Sequence, residues 1–148
     1  MKSKHGIIWF DTVDSTNEEA RRRISDIDNL SVLSARSQTS GKGQRGNIWS
    51  SAPGENLTLS IILKFASSAL ETVGNASEIL PPLQAYDQFA ISEIAALSVV
   101  DFLAGHDIEA RIKWPNDIYV GKRKICGILI ENSLRGDVVP FKILFSPH

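Results

Sequence analysis

A glycine-rich loop that leads into a strand constrains the fold of this chain more than any other feature of its sequence. Residues 41–46 read GKGQRG and match the loose pattern G-x-G-x-x-G, which opens a helix in dinucleotide-binding folds. Here the loop is followed by a Pro-Gly turn at 53–54 and then by LTLSIILKF at 57–65, a β-branched and apolar run typical of a strand. This order excludes a dinucleotide-binding βαβ unit, and the absence of G-K-[ST] excludes a phosphate-binding P-loop.

Hydrophobic patterning in the rest of the chain predicts an α+β fold. Ser15 and Glu18 have the spacing of a capping box before a helix at 17–24, and apolar residues at intervals of three and four predict a longer helix at 85–104. The segment 66–84 is small, polar and proline-containing, which is typical of a surface connection with one helical turn. Strands are predicted at 7–10, 31–37, 57–65, 108–114, 118–120, 125–131 and 138–145.

Composition indicates one ordinary intracellular domain. The chain has 148 residues, 43% of them apolar, which is enough for one hydrophobic core. A formal net charge of −1 provides no global field for nucleic acid or anionic lipid, so neither is an expected partner and anion binding has to be local. The single Cys126 lies in an apolar stretch that favours an inert core thiol, and no apolar run suits a signal peptide or membrane span. These features predict a cytoplasmic protein.

Two segments carry cations in conspicuous positions. The glycine loop combines backbone amides with Lys42 and Arg45, a combination that suits an anionic ligand, although a solvated loop with incidental charge has the same sequence. In KWPND, Lys113 ends a predicted strand before a Trp-Pro turn, so its ammonium could neutralise a carboxylate or phosphate. The alternative is a rim cation paired with Asp117. The basic residues 122–124 are predicted to form a solvated hairpin tip.

Other polar residues fit structural roles at least as well as chemical ones. Ser15, Thr16 and Asn17 can cap a helix, and their side chains could also face a polar ligand. The three histidines and Cys126 do not have the spacing of a metal site, and no pair of acids has the arrangement of a hydrolase.

Four segments in a fixed order resemble the catalytic domain of biotin protein ligases. They are DSTN at 14–17, SQTSGKGQRGNIW at 37–49, KWPND at 113–117 and KICGILIE at 124–131. The resemblance implies a mixed β-sheet with flanking helices, related to class II aminoacyl-tRNA synthetases and lipoate ligases. It also implies a reaction in two steps. Biotin and ATP, the latter with Mg2+, give biotinyl-5′-AMP and pyrophosphate, and a lysine of a biotin carboxyl carrier domain then takes the biotin as an amide.

The same resemblance implies roles for single residues in the biotin site. Ser15, Thr16, Asn17 and Gln38 match positions that bind the ureido end of biotin. Lys113 matches a lysine that contacts both the biotin carboxylate and the α-phosphate and is the expected catalytic residue, because a fixed cation offsets the repulsion between two anions. The full set of expected biotin-binding residues is Ser15, Thr16, Asn17, Gln38, Gly41, Lys42, Gly43, Gln44, Lys113 and Gly127.

The glycine loop is expected to close over the adenylate and exclude water. Trp49 matches a position near the adenine, with a core hydrophobe beneath the loop as the alternative. Gln44 and Asn47 depart from the family, because some members carry arginines there, and this weakens the expected grip on phosphate. The expected nucleotide-binding residues are Arg45, Gly46, Asn47, Trp49 and Asn116, and no metal ligand is expected from the protein.

The end of the sequence also departs from the family pattern. Family members continue into a G-I-G-x-N segment and a small β-barrel, whereas this sequence ends after VVPFKILF at 138–145. We therefore expect a single, C-terminally shortened catalytic domain at 1–148 with reduced activity. Without a helix-turn-helix before it, operator binding is not expected. If strand 138–145 were unpaired, its apolar edge would favour a homodimer.

Two other functions remain open at this level. The same fold serves lipoate- or octanoate-transferring enzymes. A non-catalytic biotin-binding fragment is the other alternative.

Overall fold

Seven strands form one mixed sheet in the computed structural model, which describes residues 6–49, 52–66, 80–81, 87–131 and 138–145. The strands are β1 (Ile7–Val13), β2 (Val32–Gln38), β3 (Leu57–Lys64), β4 (Arg111–Lys113), β5 (Asp117–Val120), β6 (Arg123–Ile130) and β7 (Val138–Phe145). The helices of these residues are α1 (Thr16–Arg22) and α2 (Asp87–Ala104), and a 3-10 turn spans Gln44–Gly46. The mixed sheet with its helices confirms the predicted α+β fold.

The strands lie in the order β1-β2-β3-β7-β6-β5-β4. Strands β1 and β2 are parallel, and the other neighbouring pairs are antiparallel. Strand β3 lies inside the sheet, because it pairs with β2 on one side and with β7 on the other. The condition under which β7 would have an exposed edge is not met, because β7 pairs with both β3 and β6. The argument for a homodimer through this strand therefore no longer holds.

The two helices cover opposite faces of the sheet. Helix α1 packs against β2, β3 and β7, over a cluster that includes Leu33 and Ile62. Helix α2 packs against β4, β5 and β6, over a cluster that includes the fully buried Ile118. Successive residues of a strand point to opposite faces, and Ile61 belongs to the α2 cluster whereas Ile62 belongs to the α1 cluster. The α1 face carries the polar residues considered below.

Several predicted boundaries and one predicted contact change in the structure. Helix α1 begins one residue before the predicted start, and the strand predicted at 108–114 shortens to Arg111–Lys113. Ser15 is the N-cap residue of α1 by its extended backbone, but its side chain makes no cap hydrogen bond, so the predicted capping box is not formed. Most of the connection predicted at 66–84 lies outside the described residues.

The structure also bears on Cys126 and on membrane-spanning helices. Cys126 is 0% exposed within the α2 cluster, which confirms its predicted place in the core. Within the described residues, no helix has the length and hydropathy needed to cross a membrane.

Candidate active site

A buried polar cluster lies where α1 begins against β2 and β3. Ser15, Thr16 and Asn17 are each 0% exposed. The Thr16 N–H donates to Gln38 Oε1 at 2.9 Å, and Thr16 Oγ1 lies 3.2 Å from the same oxygen. Ser60 Oγ lies 2.7 Å from Thr16 Oγ1 and 2.6 Å from Asn17 Oδ1. These contacts gather the predicted ureido-binding residues in one buried cluster, and Ser60 is a member that the sequence did not indicate.

Two atoms of this cluster are buried without a hydrogen-bond partner among the described residues. They are Ser15 Oγ and Gln38 Nε2. Buried polar atoms are nearly always paired, because leaving one unpaired costs about 1–3 kcal/mol. Ser15 adjoins Thr16 in sequence and Thr16 contacts Gln38, so both unpaired groups belong to one buried cluster. This is the arrangement expected where a polar ligand completes the hydrogen bonds.

The glycine loop folds into a small hairpin next to this cluster. The Gly43 N–H donates to Asn47 O and the Trp49 N–H donates to Gly41 O, each at 2.7 Å. A Cβ on Gly41 would clash with Trp49 O and lie 3.0 Å from Gln38 Nε2, so only glycine fits between the loop and the cluster. Arg45 has the left-handed φ of 56°, which turns the tip of the hairpin. The loop base thus joins the polar cluster to Trp49.

A cavity of about 560 Å³ opens beyond Trp49. One wall is the loop and the other is formed by β5, β6 and the turn before β5. A Cβ on Gly127 would lie 3.5 Å from the Trp49 ring, an ordinary van der Waals distance, so the indole lies next to this part of β6. The lining residues are Lys42, Gly43, Gln44, Asn47, Ile48, Trp49, Asn116, Asp117, Lys124, Gly127, Ile128 and Leu129.

Lys124 is the strand cation that lines this cavity. Its Nζ lies 2.7 Å from Asp117 Oδ1 and 5.1 Å from the centre of the Trp49 ring. The side chain is 32% exposed, so the prediction that it belongs to a solvated hairpin tip is wrong. Its carboxylate partner and the indole hold the ammonium in one place. A fixed cation of this kind suits an anionic ligand.

Lys113 lies outside the cavity lining. Its Nζ lies over the ring of Tyr119, 5.5 Å from the ring centre, and the residue is exposed on the edge strand β4. The alternative pairing of Lys113 with Asp117 is not what the structure shows, because Asp117 contacts Lys124. The catalytic role expected for Lys113 stays a prediction.

Lys42 connects the loop to helix α1. Its Nζ forms an ion pair with Glu18 Oε1, and the same oxygen accepts a hydrogen bond from Arg21 at 2.8 Å. The Lys42 hydrogen bond holds the pKa of Glu18 below its ordinary value of 4.5. The carboxylate therefore stays charged near neutral pH and anchors the first cation of the loop beside the cavity.

Asp14 is held by Arg22 just before the polar cluster. The guanidinium donates to both carboxylate oxygens, at 2.7 and 2.9 Å, and lowers the pKa of Asp14 from 3.8 to about 2. The Ser15 N–H donates to Asp14 Oδ1 at 2.7 Å and contributes to the same lowering of the pKa. The pair therefore fixes the backbone that leads into Ser15.

This depressed pKa predicts an acid-sensitive contribution to stability. Because the folded-state pKa of Asp14 lies below the unfolded value, the contribution is present above pH 3.8 and is lost as the pH falls toward about 2. Between these values, the urea midpoint of wild type should fall more steeply than that of Asp14→Asn. A carboxyl ¹³C NMR titration should show the pKa of Asp14 returning toward 3.8 in Arg22→Gln. An unchanged pKa in that variant would contradict the assignment.

The structure divides the sequence-predicted site residues into three sets. Those in or beside the polar cluster are Ser15, Thr16, Asn17, Gln38 and Gly41. Those that line the cavity are Lys42, Gly43, Gln44, Asn47, Trp49, Asn116 and Gly127. Those outside the cavity lining are Arg45, Gly46 and Lys113.

Sequence reasoning missed Ser60, Lys124 and Glu131 as members of the site. Asn17 Nδ2 donates to Glu131 Oε2 at 2.6 Å, across 114 positions of sequence. The KICGILIE segment contains both Lys124 and Glu131, so the motif indicated the right segment. It did not show toward which face of the sheet these two side chains point. Within the described ranges, no group of three or more His, Cys, Asp and Glu residues is placed to hold a metal ion.

Comparison with known proteins gives biotin protein ligases among the relatives. The chain is 31% identical over 121 residues to the bifunctional ligase/repressor BirA of Escherichia coli, covering 80% of this chain and 32% of that protein. It is 35% identical over 109 residues to the biotin–protein ligase of Homo sapiens, covering 73% of this chain and 14% of that protein. The chain thus spans a third or less of the length of these two relatives.

A solved structure shares the fold over nearly the whole chain. The biotin protein ligase from Aquifex aeolicus in complex with biotin and ATP superposes with a TM-score of 0.71 at 25% identity, covering 95% of this chain and 51% of that one. The model of the biotin/lipoate A/B protein ligase family matches residues 9–145. These findings confirm the resemblance seen in the four sequence segments, and the chain belongs to the biotin/lipoate A/B protein ligase family.

Proposed function

We propose that this chain binds biotin and ATP and catalyses ATP-dependent biotin–protein ligation. The observation that carries the proposal is the pair of buried, unpartnered groups, Ser15 Oγ and Gln38 Nε2. Gly41 lies between Gln38 and Trp49, and Trp49 lines the cavity that also holds the Lys124 ammonium. Biotin has a urea head that needs hydrogen-bond partners and a carboxylate at its other end. The relative from Aquifex aeolicus, bound to biotin and ATP, supports this choice of ligands.

The polar cluster favours biotin over lipoate. A urea accepts hydrogen bonds at its oxygen and donates them from two N–H groups. Gln38 Nε2 can donate to the oxygen, and the Ser15 hydroxyl can donate or accept. The dithiolane ring of lipoate offers no comparable partners and would leave both groups unpaired, which is the situation in which a polar pocket rejects a ligand most strongly.

The cavity suits the first chemical step. A carboxylate oxygen of biotin attacks the α-phosphorus of ATP, a P–O bond forms, and the bond to pyrophosphate breaks. Two anions approach one another in this step, so a preorganised cation lowers the barrier. We assign this role to Lys124 in place of Lys113, because Lys124 lies on the cavity wall, held between Asp117 and Trp49. Lys42 supplies a second positive charge from the loop.

The second step transfers biotin to a protein. A neutral amine attacks the acyl carbon of biotinyl-5′-AMP, a C–N bond forms, AMP leaves with the electrons of the broken C–O bond, and the nitrogen loses one proton to solvent. We propose a lysine of a biotin carboxyl carrier domain as the acceptor, and the domain matched by the family over residues 9–145 as the catalytic unit. Mg2+ enters with ATP as part of the substrate, and Trp49, Asn116 and Asn47 on the cavity wall are proposed to contact the nucleotide.

Ser15→Ala tests the proposal through two opposite effects. The variant removes a buried hydroxyl that lacks a partner, so the free energy of unfolding without ligand should rise by about 1 kcal/mol. Because the same hydroxyl is expected to bind the urea, biotin affinity should fall about tenfold. Urea denaturation and calorimetric titration measure the two quantities. Unchanged biotin affinity together with unchanged stability would contradict the assignment of this pocket.

A further inference from the structure

We propose that Glu131 is a positioning residue that sets the direction of hydrogen bonds in the urea pocket. The inference rests on the proposed function, because it concerns how that pocket recognises its ligand. Glu131 follows the last residue of β6, and it ends the chain of hydrogen bonds that begins at Gln38. Its Oε2 accepts from Asn17 Nδ2 at 2.6 Å, and its Oε1 lies 3.2 Å from the Arg21 guanidinium.

A carboxylate imposes a direction on its neighbours because it can only accept hydrogen bonds. Asn17 must therefore turn its NH2 group toward Glu131, which leaves Asn17 Oδ1 facing Ser60 Oγ at 2.6 Å. Ser60 has one hydroxyl proton, which it donates to Asn17 Oδ1. The Ser60 oxygen is then an acceptor toward Thr16, 2.7 Å away.

This direction decides what Thr16 can offer to a ligand. Its hydroxyl proton points into the protein, where Ser60 Oγ and Gln38 Oε1 are both acceptors, at 2.7 and 3.2 Å. Its oxygen therefore keeps a lone pair for a ligand N–H, in the same buried cluster as the unpaired Gln38 Nε2 and Ser15 hydroxyl. Together the three groups present one acceptor, one donor and one adaptable hydroxyl, which match the N–H and C=O groups of a urea.

Glu131→Gln tests this role, because an amide removes the imposed direction. The glutamine side chain could donate a hydrogen bond to Asn17 Oδ1. Asn17 could then donate to Ser60, and Ser60 to Thr16, so that the Thr16 lone pair accepts from Ser60 instead of from a ligand. We expect affinity for biotin and for dethiobiotin, which share the urea, to fall about tenfold in parallel. The matched control is Arg21→Gln, which removes the other contact of Glu131 and should change both affinities by less than about twofold.

The double variant Asn17→Asp with Glu131→Gln provides a rescue. The glutamine amide can donate to the introduced aspartate, which is an acceptor only and again takes the proton of Ser60. Calorimetry should show the double variant recovering most of the lost affinity. Equal losses in Glu131→Gln and Arg21→Gln, or an absence of rescue in a folded double variant, would overturn the proposal and leave Glu131 as a structural anchor.

A readout without ligand separates this proposal from the proposed function. In ¹H–¹⁵N spectra of the free protein, Glu131→Gln should shift the side-chain amide signals of Asn17 and Gln38, whereas Arg21→Gln should leave that of Gln38 in place. If the two variants show this pattern but the wild-type protein does not bind biotin, the ligand assignment alone is overturned. Wild type that binds biotin, with amide signals unchanged by Glu131→Gln, would overturn the role of Glu131 alone.

Discussion

Lys124→Met is expected to slow formation of biotinyl-5′-AMP by two to three decades. The substitution keeps the aliphatic stem beside Trp49 and removes the ammonium that Asp117 and the indole hold at the cavity wall. Losing one preorganised donor to a developing charge typically costs about 100- to 1,000-fold in rate. Single-turnover assays with saturating biotin and ATP measure the step directly.

Two lysine variants serve as comparisons for this result. Lys122→Met removes an exposed cation from the β5–β6 turn and should change the rate by less than about threefold. Lys113→Met also removes an exposed ammonium, one that lies over Tyr119 and outside the cavity lining. A larger loss in Lys113→Met than in Lys124→Met would restore the assignment made from the sequence and contradict the one made from the structure.

Gly41→Ala is expected to weaken biotin binding by about ten- to a hundredfold. The added Cβ would clash with Trp49 O, a backbone atom, and lie 3.0 Å from Gln38 Nε2. Overpacking of this kind costs about 1–3 kcal/mol, and relief requires the loop base or the Gln38 amide to move. Either movement separates the polar cluster from the cavity, so calorimetric titration should detect it as lost affinity.

Gly6→Ala is the matched control for this substitution. A Cβ at Gly6 would meet no atom within 4 Å, so biotin affinity should equal that of wild type. A Gly41→Ala protein that binds biotin normally would show that the loop base does not need the close approach seen in the structure.

Strand periodicity made much of the sheet predictable. β3 and β6 carry apolar runs bounded by turn residues, and the Gly121 turn, with a φ of 58°, marks the hairpin between β5 and β6. The pairing of β7 was not predictable in the same way. Whether an apolar strand lies at an edge or between neighbours depends on contacts distant in sequence. The sequences of β3 and β6 do not show that each has an edge available to pair with β7.

The orientation of Lys124 could not be read from the sequence because the strand is irregular. Simple alternation would place Lys124 on the same face as Cys126, which is buried under α2. The pairing shifts between Ile118, opposite Cys126, and Tyr119, opposite Lys124, so one extra residue of β6 is accommodated there. This irregularity turns Lys124 to the α1 face, where the cavity lies. A pattern of period two therefore predicted the strand but placed the side chain of Lys124 on the wrong face.

The polar cluster was partly predictable for a different reason. Ser15, Thr16 and Asn17 stood out as polar residues at a helix start, and helix capping explained them equally well. The structure separates these explanations because Ser15 makes no side-chain cap hydrogen bond. The contact between Asn17 and Glu131 joins residues that only the folded sheet brings together.

The most direct test of the central claim is mass spectrometry of the adenylate made by the purified chain. The chain is incubated with ATP, Mg2+ and equal concentrations of biotin and lipoate, and the quenched mixture is analysed for both acyl adenylates. We expect biotinyl-5′-AMP, with one pyrophosphate for each adenylate, and little lipoyl-5′-AMP. Predominant lipoyl-5′-AMP, or bound biotin with no adenylate, would contradict the proposed biotin ligation.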